Sequence, residues 1–450
     1  MTGPEQILDQ TLAAARREGR SRGRFSHAWA IPAPWLGSQA SQPLVAEVEW
    51  QLTADGDTRI QAFVTDQPLD TASTTDQTLS ERAAAHGAAL IDLGAPLALA
   101  PVHIPKPWGQ EIWYTGIEAR GLSEVCTATG SSPLPWVLAL APVRLTGSAS
   151  ELCLLKTLDP LPEPVYGDLY LELHEEKQEV YVVTHVDPQA WPDGVGGIRC
   201  GLAPEKRREY ADEQSLRQAF LTAVQDYEAV RRRIDARFDE RRQTAGIGLN
   251  DPVPPALLAQ WQQDLPAALR NEEVQKRAVM ESFTAIRPLK VGDLVALPTR
   301  TPHSLLHGVR VIEFQTPVYE RQIIAFAQKV LTQNHWDSAE AIARMHIDAP
   351  PDSAPEVLAD GADRRVERVV RFDSFNVWRV TLSAGMDLTL PQAPHLLCMG
   401  IQGRVQLGGL QCGGLQLGPE QAALIPPGLG GKTALRALDD SLLLLAGPDI

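Results

Sequence analysis

The stretch "YLELHEEKQEVYVV", Tyr170 to Val183, sets two carboxylates and an imidazole at strand spacing. Side chains two apart on a strand share a face, so Glu172 and His174 aim the same way, and Glu179 follows five residues later. Two arrangements suit this pattern. A half-buried strand normally turns its charged face to water. Alternatively, the aligned groups share one cation, as carboxylate and imidazole ligands do. A second stretch is needed to choose.

That stretch is "GDLVALPTRTPH". Gly292 opens a turn, five residues of strand follow, Pro298 starts the next turn, and His303 stands where the chain re-enters a strand. The phrase resembles the second signature of the cupin superfamily, with Arg300 where that signature has an internal glycine. The opening stretch resembles the first cupin signature, with Glu172 in the first histidine position, His174 in the second and Glu179 as the glutamate. In a small barrel the side chains alternate in and out, so three inward residues of one hairpin and one of a distant strand can converge. Two imidazoles and two carboxylates suit Zn2+, with Mn2+ and Fe2+ as alternatives, and do not match the all-oxygen preference of Ca2+ or Mg2+.

Further phrases in the same order resemble the type I mannose-6-phosphate isomerases. These are "PKPWGQEIW" from Pro105, "LLKTLD" from Leu154, Lys177 to Glu179, His303, then Glu313 and Arg321. The resemblance implies a metal site of Glu172, His174, Glu179 and His303. It also implies an aldose-ketose isomerisation through a cis-enediol, in which Glu313 is a candidate base and Lys177 and Arg321 are the cations facing substrate oxygens. The expected ligand is a small sugar or sugar phosphate. Three departures stand out: Glu172 replaces the family's metal-binding glutamine, Tyr170 replaces its small serine, and the loop before Lys177 is short. A non-catalytic sugar-binding or scaffold cupin, or an Fe(II)-dependent cupin oxygenase, are the alternative functions.

The elements that must position these residues follow from patterning along the 450-residue chain. Residues 25 to 186 carry short apolar runs punctuated by Pro and Gly, which predicts antiparallel strands with little helical period. Leu216, Phe220, Val224, Tyr227, Ile234 and Phe238 recur at helical steps and predict one long amphipathic helix. The expected fold class is mainly β: a cupin double-stranded β-helix, or jelly roll, with an inserted α-helical domain and a C-terminal all-β, degenerate cupin-like unit. The boundaries expected are 1–24 for an N-terminal helical segment, 25–187 with 287–335 for the metal-binding domain, 188–286 for the helical insertion, and 350–450 for a C-terminal β-sandwich without metal. The stretch "DAPPDSAPEVLADGADRR" reads as the linker before it.

Composition narrows the class. A hydrophobic share of 44% with 22% charged residues is globular usage. A net charge of -15 argues against a nucleic-acid partner, because phosphate binding concentrates Lys and Arg on one face. Five scattered cysteines without a CxxC pair suggest neither a disulfide framework nor a thiolate zinc site. The N-terminus lacks the apolar core of a secretory signal, and no apolar run reaches membrane-spanning length, so a cytoplasmic protein is expected. His307, four residues after His303, is the one further histidine placed near the presumed pocket.

Overall fold

A computed structural model of the chain describes residues 3–53, 57–69, 77–147, 152–351, 354–408 and 414–448. It is mainly β, with antiparallel sheets throughout. The chain forms two compact units: residues 104–112 and 157–353 make one, and residues 1–103, 113–156 and 354–450 make the other.

The unit spanning 157–353 holds two sheets. In one, strands Thr284–Leu289, Gly196–Leu202, His303–Leu305, Leu171–Leu173 and Gln322–Ala325 lie side by side in that order. In the other the order is Leu294–Leu297, Glu179–Val186, Val309–Gln315, Leu154–Pro160, Gly109–Trp113 and Val102–Lys106. Tyr181, Val183, Val295, Leu297, Val309 and Val311 of one sheet bury against Tyr170, Ile198, Leu289, Leu305 and Ile323 of the other. Trp108 is 1% exposed in this core and packs as an ordinary interior residue. Gly109 must be glycine: its φ is 147°, and a Cβ there would lie 2.2 Å from the Asp159 carbonyl oxygen.

The predicted amphipathic helix spans Glu213–Ala245, 33 residues. Asp212 caps it by accepting from the Ser215 amide at 2.7 Å, and Gly246 ends it in the left-handed conformation. All six predicted stripe residues are buried, packed with Leu258, Trp261, Leu269 and Met280 of the two following helices, Pro255–Gln263 and Ala267–Glu281. Leu171, Leu173, Ile324 and Ala325 belong to the same cluster. The helices therefore cover the outer face of the sheet that carries Glu172 and His303. Within residues 188–286, expected to be helical, Gly196–Leu202 is instead a strand of that sheet, paired with His303 through Cys200.

In the other unit, strands Arg22–Pro32, Ser41–Leu52, Thr58–Thr65 and Ile91–Asp92 form a four-stranded sheet, and a nine-stranded sheet faces a further four-stranded one. Residues 25–103 were expected to open the metal-binding domain, yet they lie with the C-terminal strands. The reason is a long-range pairing, Leu97–Ala100 against Ala422–Ile425, that no local pattern encodes. Trp378, Val380, Leu396, Cys398, Leu407, Leu435 and Leu443 form the core of the C-terminal strands.

Two local expectations change. Helices Leu79–Ala85, Leu134–Leu140 and Pro142–Thr146 interrupt the stretch read as strands. The first had a legible signal, the capping box "TLSE", in which Thr78 Oγ1 accepts from the Glu81 amide and Glu81 Oε2 accepts from the Thr78 amide at 2.8 Å. The second half of the expected linker, Glu356–Asp360, is an edge strand on Arg364–Arg371. Cys126, Cys153, Cys200 and Cys398 are thiols outside any disulfide, and Cys412 lies outside the described residues.

Arg300 has φ 60°, the left-handed region that glycine occupies without strain. The residue that departs from the glycine of the motif keeps the glycine conformation. Its amide donates to the His174 carbonyl at 2.6 Å and its carbonyl accepts from the His346 amide at 2.7 Å, so this turn ties the chain before His303 to the backbone of His174. Arg300→Gly is expected to leave stability within about 1 kcal/mol of the parent, since relieved strain offsets added unfolded-state entropy. Arg300→Val, β-branched, should lose about 2 kcal/mol. Denaturant unfolding of the two variants measures both; a larger loss in the glycine variant would show that the Arg side chain, not the backbone, matters here.

Candidate metal centre

Strand Leu171–Leu173 is short, and its alternation divides its work. Leu171 and Leu173 face the helices, while Glu172 lies opposite His303 on the next strand. Residues directly opposite on antiparallel strands point the same way, which brings this carboxylate and imidazole to one face. His174 follows at the strand end. The loop then returns as strand Glu179–Val186, where Glu179 is opposite Gln315 and Tyr181 is opposite Glu313. Glu313 and Gln315, 1% and 5% exposed, therefore share the inward face with Glu179 and Tyr181.

The four predicted ligands converge. Glu172, His174 and His303 offer ligand atoms all within 4.8 Å of one another, and they are the one such group among the described residues. Glu179 flanks the two histidines: Oε1 is 3.4 Å from His174 Nε2, and Oε2 is 3.2 Å from His303 Nε2. Glu172 Oε1 is 3.9 Å from His174 Nε2. Two ligands about 2.1 Å from a common ion are about 3.0 Å apart at a right angle and about 3.4 Å apart at the tetrahedral angle. The two Glu179 separations, 3.4 and 3.2 Å, fall in this range, and Glu172 to His174 at 3.9 Å is longer.

Protonation favours the same conclusion. His303 Nδ1 lies 2.8 Å from the Thr301 carbonyl oxygen, which can only accept. One proton therefore sits on Nδ1, and Nε2 is the ring nitrogen turned toward the cluster, as in metal-binding histidines held by a backbone carbonyl. His303 Nε2 and Glu172 Oε2 are buried and make no hydrogen bond. Buried polar atoms left so are costly, about 1–3 kcal/mol each, unless something else occupies them. A divalent cation fits this donor set of two imidazole nitrogens and two carboxylates.

The charge balance is built around Glu179, whose side chain is 2% exposed. Burial alone would push its carboxyl up, but Lys177 Nζ at 2.7 Å and the two imidazoles outweigh that and hold it well below the usual carboxylate range. Tyr181 donates its phenol to Oε2 at 2.9 Å. Burial works against the His303 imidazolium, and Glu179 reverses this and raises its pKa. Lys177 is thus a buried partner of a ligand rather than a solvated turn lysine.

Arg321 also reaches the site. Its Nε is 3.7 Å from Glu172 Oε2, its Nη2 donates to Thr332 Oγ1 at 2.8 Å, and its guanidinium lies 4.5 Å above the Tyr170 ring. It does not pair with Glu320, which instead accepts the Glu175 and Glu176 amides at 2.8 and 3.0 Å and ties down the short loop. His307 is not brought to the cluster. Its Nδ1 lies 2.7 Å from Asp168 Oδ1 and its ring stacks on Trp191 at 4.9 Å.

Tyr181, Thr301 and Thr332 escaped the sequence argument. Tyr181 was legible, since it lies two residues after Glu179 on the same strand face. Thr301 acts through its backbone carbonyl two residues before His303, which residue type does not reveal, and Thr332 acts through a loop contact with Arg321.

If these four residues hold a cation, His174→Ala and His303→Ala should each lose bound metal and lower the thermal midpoint, because ligand binding adds to folding free energy. A chelator should lower the parent's midpoint and leave the variants unchanged. Metal analysis and thermal unfolding on the same preparations check this, and full occupancy in both variants would dismiss the site.

No family model matches the chain, and no curated protein matches it in sequence. Solved structures do match in shape. Mannose 6-phosphate isomerase from Bacillus subtilis aligns over 78% of this chain and 99% of its own, with a TM-score of 0.53 and 14% identity. A mutant of phosphomannose isomerase from Salmonella typhimurium aligns over 79% of this chain and 100% of its own, with a TM-score of 0.55 and 14% identity. A second mutant of that protein gives a TM-score of 0.56 at 13% identity. The resemblance found in the motifs thus extends to the fold: this chain is built on the mainly β architecture of the phosphomannose isomerases.

Proposed function

We propose that this protein is a metal-dependent aldose-ketose isomerase acting on a sugar or sugar phosphate through a cis-enediol. The observation that carries the proposal is the buried convergence of Glu172, His174, Glu179 and His303. The fold shared with phosphomannose isomerases supports it. Those four residues would hold the cation, with zinc the first expectation and manganese or iron(II) next. When bound, such an ion supplies Lewis-acid polarisation of carbonyl and hydroxyl oxygens.

The chain's own groups take the remaining work in this proposal. Glu313, buried on the inward face beside Tyr181, is the base that carries a proton between C1 and C2. Lys177 and Arg321 hold the ligand carboxylates Glu179 and Glu172 in place. The N–H groups of Arg321 beyond those on Glu172 and Thr332 donate to the oxygen that gains negative charge in the enediolate. No helix among the described residues is long and apolar enough to cross a membrane, and a cytoplasmic setting is part of the proposal.

A panel of aldoses, free and phosphorylated, assayed for ketose formation with and without added Zn2+, tests the reaction class directly. Within it, Arg321→Lys should lower turnover on the order of a hundredfold or more while metal content stays at the parent level. Lysine keeps the charge but lacks the planar fork that serves Glu172, Thr332 and a substrate oxygen together. Near-normal turnover in that variant would remove Arg321 from the chemistry, and loss of metal with activity would limit it to supporting Glu172.

A further inference from the structure

We propose that this site selects an uncharged sugar over a sugar phosphate, and that Glu172 is the residue that decides it. The inference rests on the isomerase proposal for the same site and concerns the charge of the substrate.

A phosphate dianion needs positive groups whose charge is not already spent on a neighbour. Among the described residues, the following cations around the ligand cluster each have a carboxylate partner. Lys177 lies 2.7 Å from Glu179, and Arg321 lies 3.7 Å from Glu172. Lys106 lies 3.1 Å from Glu111, whose charge also reaches Tyr170 and Arg321. Arg300 and Arg344 both converge on Glu175.

Arg321 is hemmed in on several sides. Glu172 presents Oε1 toward His174 and Oε2 toward Arg321, so a cation held on the first oxygen leaves the second on the guanidinium. The Tyr170 ring covers one face of that guanidinium, and Phe326 packs the ring in place with centroids 4.2 Å apart. Thr332 occupies one edge. A phosphate seated there would have to displace a carboxylate or face it. A sugar hydroxyl or carbonyl oxygen accepts from an N–H without needing a net charge, and so keeps what a phosphate loses.

Equilibrium binding and turnover are measured on the metal-loaded full chain with D-mannose, mannose 6-phosphate and inorganic phosphate as probes. The parent is expected to bind or convert the free sugar, to gain nothing from the 6-phosphate, and to ignore inorganic phosphate at millimolar concentration. Glu172→Gln removes the competing charge and should bind inorganic phosphate at least tenfold more tightly, with metal content measured alongside. Millimolar or tighter phosphate binding by the parent, or a tenfold preference for the phosphorylated sugar, overturns the proposal. The parent's phosphate binding decides the matter even if Glu172→Gln loses its metal. Turnover of neither sugar would end the isomerase proposal, and the binding data would then judge the charge selection separately: free sugar bound and phosphate refused sustains it, and no free-sugar binding overturns it.

Discussion

The Glu179 carboxylate is the constraint around which the site is arranged. A carboxylate at 2% exposure is untenable alone, because the cost of stripping its water amounts to several kcal/mol. Its partners come from close in sequence and from far away: Lys177 and Tyr181 on its own hairpin, His174 at the preceding strand end, and His303 more than a hundred residues on. Removing any one leaves the charge short of a partner. The same demand that keeps these groups together makes them a ready set of ligands, since what satisfies a buried anion and two inward imidazole nitrogens is a cation.

Precision at that carboxylate depends on groups well outside it. Helix Glu213–Ala245 buries Leu216, Phe220, Val224 and Tyr227 in one cluster with Leu171 and Leu173. A large side chain fully withdrawn from water contributes roughly 1.5–3 kcal/mol, so this back support holds a three-residue strand that few ladder hydrogen bonds could hold alone. Slipping that strand by one residue would turn Glu172 toward the helices and a leucine toward His303. The apolar packing on one face thereby fixes the polar geometry on the other.

Two departures from the motif patterns have opposite physical meanings. Arg300 replaces a glycine yet holds φ 60°, so the turn that links His303 to the His174 backbone survives the substitution. The backbone takes a shape that suits glycine although the residue is an arginine. Glu172 changes the electrostatics of the site. It stands between the ligand cluster and Arg321, with one oxygen toward His174 and the other toward the guanidinium. Tyr170, over the same guanidinium, has its phenol pushed up to about 12 by burial, against the opposing pull of Arg321, and so stays neutral. The ring contributes packing and a π face rather than a charge.

Local pattern marked the long helix and the mainly β class, and together with the resemblance in the motifs it singled out the candidate ligands. Strand alternation placed Glu172 and His174 on one face, a Gly-to-Pro spacing located His303, and a helical period marked Leu216 to Phe238. Each of these signals depends on neighbours within a few residues, which is why they are legible without a structure. Tertiary structure decided what those neighbours meet. That Lys177 is buried on Glu179, that Arg321 turns to Glu172 rather than to Glu320, and that His307 is taken by Asp168 all follow from strands paired across long separations. The same holds for the grouping of residues 25–103 with the C-terminal strands, set by the pairing of Leu97–Ala100 with Ala422–Ile425. Periodicity tells which face a side chain takes, but only the register between distant strands, chosen by the burial of whole faces, tells which charge waits on the other side.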